Sequence, residues 1–286
     1  MNWRWILLLS MILYSVCTVV QKLILKDGNK NPIAFSILFQ IVVGILIGIY
    51  AFSINSLAIP NLAPILFSFG LMIVLWVFNN AFLYKALKLI DASKFSIVYS
   101  SRAFFAIFAS SLLLKQSLSL SGYIGTFFII TGIIVVSIKS RKFEFNKGDI
   151  FSILAAIGFG FELTNDKFLL GFFNAYTYGA IVFLIPGFFL WILFPNVTRE
   201  MRYYFQKNSI AQFMLACLLM AVSIILTYSA LKLTSNSSQF ASISLLSVVI
   251  VVILSTIFLK ERDSLLQKVI GTILSVIGLM LVASQL

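Results

Sequence analysis

The sequence contains no histidine, which removes imidazole general bases, serine-type triads and histidine metal sites at once. Its two cysteines, Cys17 and Cys217, stand alone inside apolar stretches, so no thiol pair is spaced for redox or zinc chemistry. Both read as small helix-packing residues. Charge is scarce too. Of 286 residues, 21 are Lys or Arg and 9 are Asp or Glu, which is 10% charged, where soluble domains use about a quarter. A water-exposed globule of this length would lack the polar surface to cover itself.

What is present is apolar: 61% of the residues are hydrophobic, and they fall in runs of about twenty, the length of a helix that crosses a bilayer. Ten runs are expected as helices: Trp3–Leu25, Pro32–Phe52, Pro64–Lys88, Lys94–Leu114, Ser119–Ile138, Asp149–Leu169, Asn174–Phe194, Ile210–Lys232, Asn236–Leu259 and Leu265–Ala283. The fold class is therefore an all-α polytopic membrane protein with ten transmembrane helices, and the short connections leave no room for a soluble domain. The first run follows Arg4 as a signal peptide would, but it has no small-residue cleavage site and is expected to stay as a helix. Trp3, Trp5, Tyr50, Tyr123, Tyr203 and Tyr204 lie near the ends of runs, where amphipathic rings favour the headgroup zone. The net charge of +12 sits in short loops beside apolar runs, which points to membrane lipids and not to nucleic acid.

The most polar linker, residues 139–148, divides the chain into two sets of five runs, giving expected repeats at 1–140 and 149–286. The halves match in order at a nearly constant spacing. Tyr84-Lys-Ala-Leu-Lys-Leu89 recurs as Tyr228-Ser-Ala-Leu-Lys-Leu233, 144 positions later. Lys22 with Leu25 recurs as Lys167 with Leu170, and Leu114-Lys115 as Leu259-Lys260, both at 145. Gly125-Thr126 with Gly132 recurs as Gly271-Thr272 with Gly278, at 146. Five is an odd number of crossings, so the second repeat starts on the other side of the membrane and the two are inverted. Inverted repeats are a recurring construction of secondary transporters, with a binding site between the units and access alternating between the faces.

On these features the sequence resembles the EamA-type branch of the drug/metabolite transporter superfamily over essentially its whole length. The features are the lysine closing the first helix of each unit (Lys22, Lys167), the polar turn after the fourth (Leu113-Leu-Lys-Gln-Ser117 and Phe258-Leu-Lys-Glu-Arg262) and the glycine-bearing fifth helix. The family commonly has glutamate in that turn; Glu261 fits and Gln116 departs from it. The resemblance implies ten helices around a central cavity and outward transport of small metabolites, often amino acids.

Two charges lie well inside expected spans, Arg102 in the fourth and Glu162 in the sixth. A charge near the bilayer centre costs about 2.5–3.5 kcal/mol, so it faces a cavity or a partner. Either the two form a structural ion pair or at least one serves substrate or a coupling ion. Arg102 is expected to recognise an anionic group, and Glu162 to neutralise it or to take an amino group or a proton. Asp166 and Lys167, at a helix end, read as interfacial. Asn79, Asn80 and Gln40 are amides in apolar spans that need partners, from neighbouring helices or from substrate. Tyr14, Trp76, Tyr99 and Tyr228 supply aromatic faces for packing or for lining a cavity. The glycines seven apart, Gly125/Gly132 and Gly271/Gly278, make smooth stripes for close helix approach, within the chain or in a homodimer.

The expectation is a multi-pass secondary transporter of the inner or plasma membrane, carrying a small polar metabolite, with no enzyme activity and no cofactor. The other reading is a flippase or carrier component for a lipid-linked amphipathic precursor. Proton coupling, and the choice between monomer and homodimer, are open at this point. Counting Lys and Arg puts four on the face with both termini (Arg4, Lys115, Lys167, Lys232) and sixteen on the opposite face, Arg102 being set aside within its span. The positive-inside rule then places both termini outside, whereas the resemblance favours cytoplasmic termini.

Overall fold

A computed structural model describes residues 2–26, 30–102, 104–106, 108–109, 120–139, 142–143, 145–234, 240, 244, 246–261 and 263–283. The first half contains α1 (Trp3–Leu25), α2 (Pro32–Ser53), α3 (Leu66–Leu89), α4 (Ala92–Tyr99) and α5 (Leu120–Ser137). The second contains α6 (Lys147–Leu169), α7 (Ala175–Leu193), α8 (Lys207–Leu233), α9 (Leu246–Phe258) and α10 (Leu265–Ala283). Helical backbone continues past α4 at Arg102 and at 104–106. The turn Leu113–Ser117 of the sequence argument lies outside the described residues.

Side chains set the boundaries. Asn31 and Asn174 cap α2 and α7, each accepting from two backbone amides, and Pro32 occupies the first turn of α2, where its missing N–H costs nothing. Asn146 and Asp149 form a reciprocal capping box at the start of α6. Between α5 and α6, Ile138–Lys139 pairs antiparallel with Lys142–Phe143 in a two-residue ladder. A single helical turn, Thr198–Met201, bridges α7 and α8. Here Tyr204 is fully buried against Phe35 and Phe213, and its hydroxyl donates to Asn31 O at 2.8 Å.

Five stretches among the described residues are long and apolar enough to cross a membrane: Trp3–Leu25, Pro32–Ser53, Ala63–Leu89, Ala175–Leu193 and Ser209–Leu233. The helix α6 equals them in length but carries Glu162, Asp166 and Lys167 in its last turns. The stretches Leu246–Phe258 of α9 and Leu265–Gly278 of α10 are apolar and shorter.

Helices pair chiefly across the two halves: α1 lies along α8, α3 along α6, α2 along α7 and α5 along α10. The α1–α8 seam is a polar zipper in which Ser10 Oγ donates to Ser223 O at 2.8 Å and Ser223 Oγ donates to Ser10 O at 3.0 Å. Cys17 joins the same seam, its thiol 3.2 Å from Ala216 O. The α5–α10 seam is where the glycine stripes meet. A Cβ on Gly278 would lie 2.5 Å from Gly125 O, and one on Gly132 would lie 2.8 Å from Gly271 O. Both stripes are thus spent on each other within the chain.

Helix ends gather in two sets. The C-terminal ends of α1 and α3 meet the N-terminal ends of α4, α6 and α10: Lys22 Nζ donates to Leu87 O (2.8 Å) and Ile90 O (2.5 Å), and Lys94 pairs with Asp149, and Lys268 with Asp91, each at 2.9 Å. In the other set the C-terminal ends of α6 and α8 meet the N-terminal end of α7. Lys167 Nζ donates to Leu231 O (2.6 Å) and Thr234 O (3.0 Å), and Lys232 Nζ to Phe173 O (2.8 Å). The two lysines singled out by the repeat spacing therefore cap the same helix end in their respective halves.

Candidate functional site

Two glycines of α6 draw three helices together. A Cβ on Gly158 would lie 3.3 Å from Asn79 Cα on α3, and one on Gly160 would collide with the chain after α4, 2.6 Å from Ala106 N. Without side chains at these positions, α6 brings Glu162 up to polar groups of both neighbours.

Glu162 is buried, and its Oε2 accepts from Asn79 Nδ2 at 2.9 Å. Asn79 Oδ1 in turn accepts from the Tyr99 hydroxyl at 3.3 Å. A line of hydrogen bonds therefore runs from α4 through α3 to α6. Arg102, on the turn beyond Tyr99, is 9% exposed. Its guanidinium carbon lies 4.7 Å from the Tyr99 ring centre, 4.9 Å from Phe159 and 5.8 Å from Tyr14. Three ring faces hold the cation, each worth on the order of 0.5–2 kcal/mol as it loses water. The ion pair weighed between Arg102 and Glu162 is not formed; the ion pairs among the described residues are Lys94–Asp149 and Lys268–Asp91. Nor does the guanidinium donate a hydrogen bond to any described residue, although it offers five donors in a fork matched to a carboxylate.

One turn after Glu162, on the same face of α6, stands Asp166. Its reading as interfacial is corrected: it is 2% exposed. The Tyr178 hydroxyl of α7 donates to Oδ1 at 2.6 Å, and the Tyr228 hydroxyl of α8 donates to Oδ2 at 2.9 Å. Those rings meet edge to face, 5.1 Å apart. Trp76 of α3 lies in this neighbourhood, packed at 5.1 Å on Phe183, and its buried indole N–H has no partner among the described residues. Lys167 turns away to the carbonyls of Leu231 and Thr234, as a helix cap.

The remaining candidates separate from this cluster. Asn80 Nδ2 returns to its own helix at Trp76 O, 2.9 Å. Gln40 Nε2 bonds Ser36 O (3.2 Å) and Ser36 Oγ (3.1 Å) within α2, where it packs against Gly187 of α7. Asn79, Tyr99, Tyr14, Arg102 and Glu162 are thus brought together, Trp76 and Tyr228 gather around Asp166, and Asn80 and Gln40 each donate within their own helix, the buried Gln40 Oε1 having no partner among the described residues. The sequence reading missed Phe159, Asp166 and Tyr178. For Asp166 one signal was available: four residues after Glu162 on a helix means the same face.

Glu261 has a structural task. Its carboxylate accepts from Ala92 N (2.9 Å), Ser93 N (3.1 Å) and Ser93 Oγ (2.8 Å), capping α4 from the opposite half. It fixes the start of the helix that leads to Tyr99 and Arg102.

No curated protein matches the chain. Among solved structures, one titled only as the crystal structure of a protein superposes with a TM-score of 0.67 at 13% identity, over 96% of this chain and 95% of the other. That likeness concerns the fold alone. The model of the EamA-like transporter family matches twice, over residues 1–138 and 146–284. Two matches covering nearly the whole chain, on helices of membrane-spanning length, show that this multi-pass membrane protein belongs to the EamA-like transporter family.

Proposed function

We propose that the chain is a secondary transporter of the inner or plasma membrane that exports a small polar metabolite, amino-acid-like in chemistry, by alternating access. The observation that carries this reading is the state of Arg102. A buried guanidinium clasped by rings, with no described hydrogen-bond acceptor, is an expensive arrangement unless an anion visits it. A carboxylate fits the fork, and the Glu162 carboxylate, steadied by Asn79, suits an ammonium group.

Alternating access rests on the inverted relation of the halves. The C-terminal ends of α1 and α6, mates at the 145 spacing, lie in opposite sets of helix ends. Each set is closed by its own lysine cap, so opening one set while the other stays closed exposes the α4–α6 cluster to one face at a time. The test is counterflow of labelled L-amino acids into proteoliposomes loaded with the unlabelled mixture. Uptake above protein-free vesicles, lost in Arg102→Ala, supports the reading. Equal uptake by wild type and Arg102→Ala refutes the site.

A further inference from the structure

Resting on the transporter reading above, we propose that Asp166, with Tyr178 and Tyr228, is a proton-carrying site separate from the Arg102 substrate site, and that one proton crosses with each transport cycle. Three observations meet there. First, Asp166 is almost fully buried, yet no basic group lies within ion-pair distance of it among the described residues. The neighbouring cation, Lys167, is committed to backbone carbonyls. Arg102 lies against the rings near Glu162 and forms an ion pair with neither carboxylate, so no cation is placed to answer a charge on Asp166. A buried charge of that kind must be paired or neutralised.

Second, the occupant that fits is small. Each carboxyl oxygen already accepts one tyrosine hydroxyl, at 2.6 and 2.9 Å, and no cation lies within ion-pair distance among the described residues, so a proton needs the least rearrangement of the contacts present. Either contact works with the carboxyl O–H donating to the tyrosine oxygen, because a phenol both donates and accepts. Third, a spare donor waits beside the site. The buried Trp76 N–H lacks a partner among the described residues and stands near this carboxylate, ready for the anion once the proton leaves. The remaining ionisable group on this face of α6 is Glu162, held by Asn79.

In the cycle, water on one side gives Asp166 a proton while the seam between α6 and α8 is open. The neutral acid passes through the closed arrangement, and the proton returns to water on the other side, no other bond being made or broken. A zwitterionic substrate leaves the charge balance untouched, so the single proton is what neutralises the closed state.

Infrared spectroscopy of the purified full chain reads this directly. The wild type should show a C=O stretching component of a protonated, buried carboxyl that disappears as pH rises. Asp166→Asn should remove it, Glu162→Gln should leave it, and Tyr178→Phe should shift its frequency, which guards against a misfolded asparagine variant. A component that survives Asp166→Asn, or that vanishes in Glu162→Gln, overturns the assignment. In proteoliposomes, the ratio of labelled amino-acid uptake with a pH gradient to uptake without one should fall to one in Asp166→Asn; an unchanged ratio above one overturns the proposal. Failure of all uptake with the infrared result intact would instead count against the substrate reading.

Discussion

Asn79 donates to Glu162 at 2.9 Å and so ties α3 of the first half to α6 of the second, in the middle of the polar cluster. Both side chains are buried, and a buried carboxylate that loses its donor costs about 1–3 kcal/mol. Asn79→Leu should therefore lower the thermal midpoint in detergent and reduce amino-acid counterflow by more than tenfold, since Tyr99 loses its acceptor as well. A variant that melts and transports as wild type would show the bond to be incidental.

Lys22 and Lys167 do the same work at opposite ends of the bundle, but unequally. Lys22 is buried and reaches three carbonyls, Leu87, Lys88 and Ile90, whereas Lys167 is half-buried and reaches two. Replacing either with Met leaves carbonyls at a helix end without a donor, at about 1–3 kcal/mol. Lys22→Met should be the more destabilising of the two in a thermal unfolding series.

The glycine seam between α5 and α10 tolerates nothing larger. In Gly278→Ala the new methyl would meet backbone atoms at 2.5 Å (Gly125 O) and 2.8 Å (Ile129 N), which forces the helices apart and costs roughly 1–3 kcal/mol. Gly70 of α3 is the control. A methyl there meets nothing within 4 Å, and Gly70→Ala should leave the midpoint unchanged or raise it, since alanine is favoured over glycine in a helix by about 0.5–1 kcal/mol.

Removal of the cap on α4 separates shape from charge. Glu261→Ala should cost about 0.5–2 kcal/mol, the usual worth of a helix cap. Glu261→Gln keeps an acceptor oxygen and should cost less; the first half carries glutamine, Gln116, at the matching place.

Much of this arrangement was legible because it is local or periodic. Helix positions follow from apolar runs, and the pairing of Lys22 with Lys167 follows from the 145-residue spacing. The glycine stripes announced a seam, though not which surface they would meet. Asp166 was misread for a physical reason. Three residues from a helix end usually means water, and only the packing of Tyr178 and Tyr228, 12 and 62 positions away, makes this end an interior. For Gln40 the amide nitrogen finds Ser36 on its own helix, while its buried Oε1 has no partner among the described residues. Pairs such as Asn79 and Glu162, 83 positions apart, depend on which helices adjoin, and that order is set by the fold and not by either segment.

The positive-inside rule applied to the sixteen-to-four distribution of Lys and Arg predicts both termini outside, against the cytoplasmic termini that the family resemblance implies. A reporter joined after Leu286 that is active only outside the cytoplasm should therefore signal, and one active only in the cytoplasm should stay silent.

The central claim is that Arg102 binds a carboxylate of the transported molecule, and the most direct measurement is binding that varies that group alone. Thermal shift of the purified protein should be read against L-amino acids and their carboxamides, in wild type and in Arg102→Lys and Arg102→Ala. The account expects wild type to be stabilised by at least one free acid and not by its amide. That preference should weaken in Arg102→Lys, which keeps the charge but loses the fork, and vanish in Arg102→Ala. Equal stabilisation by acid and amide in wild type, or a preference unchanged in Arg102→Ala, would contradict it.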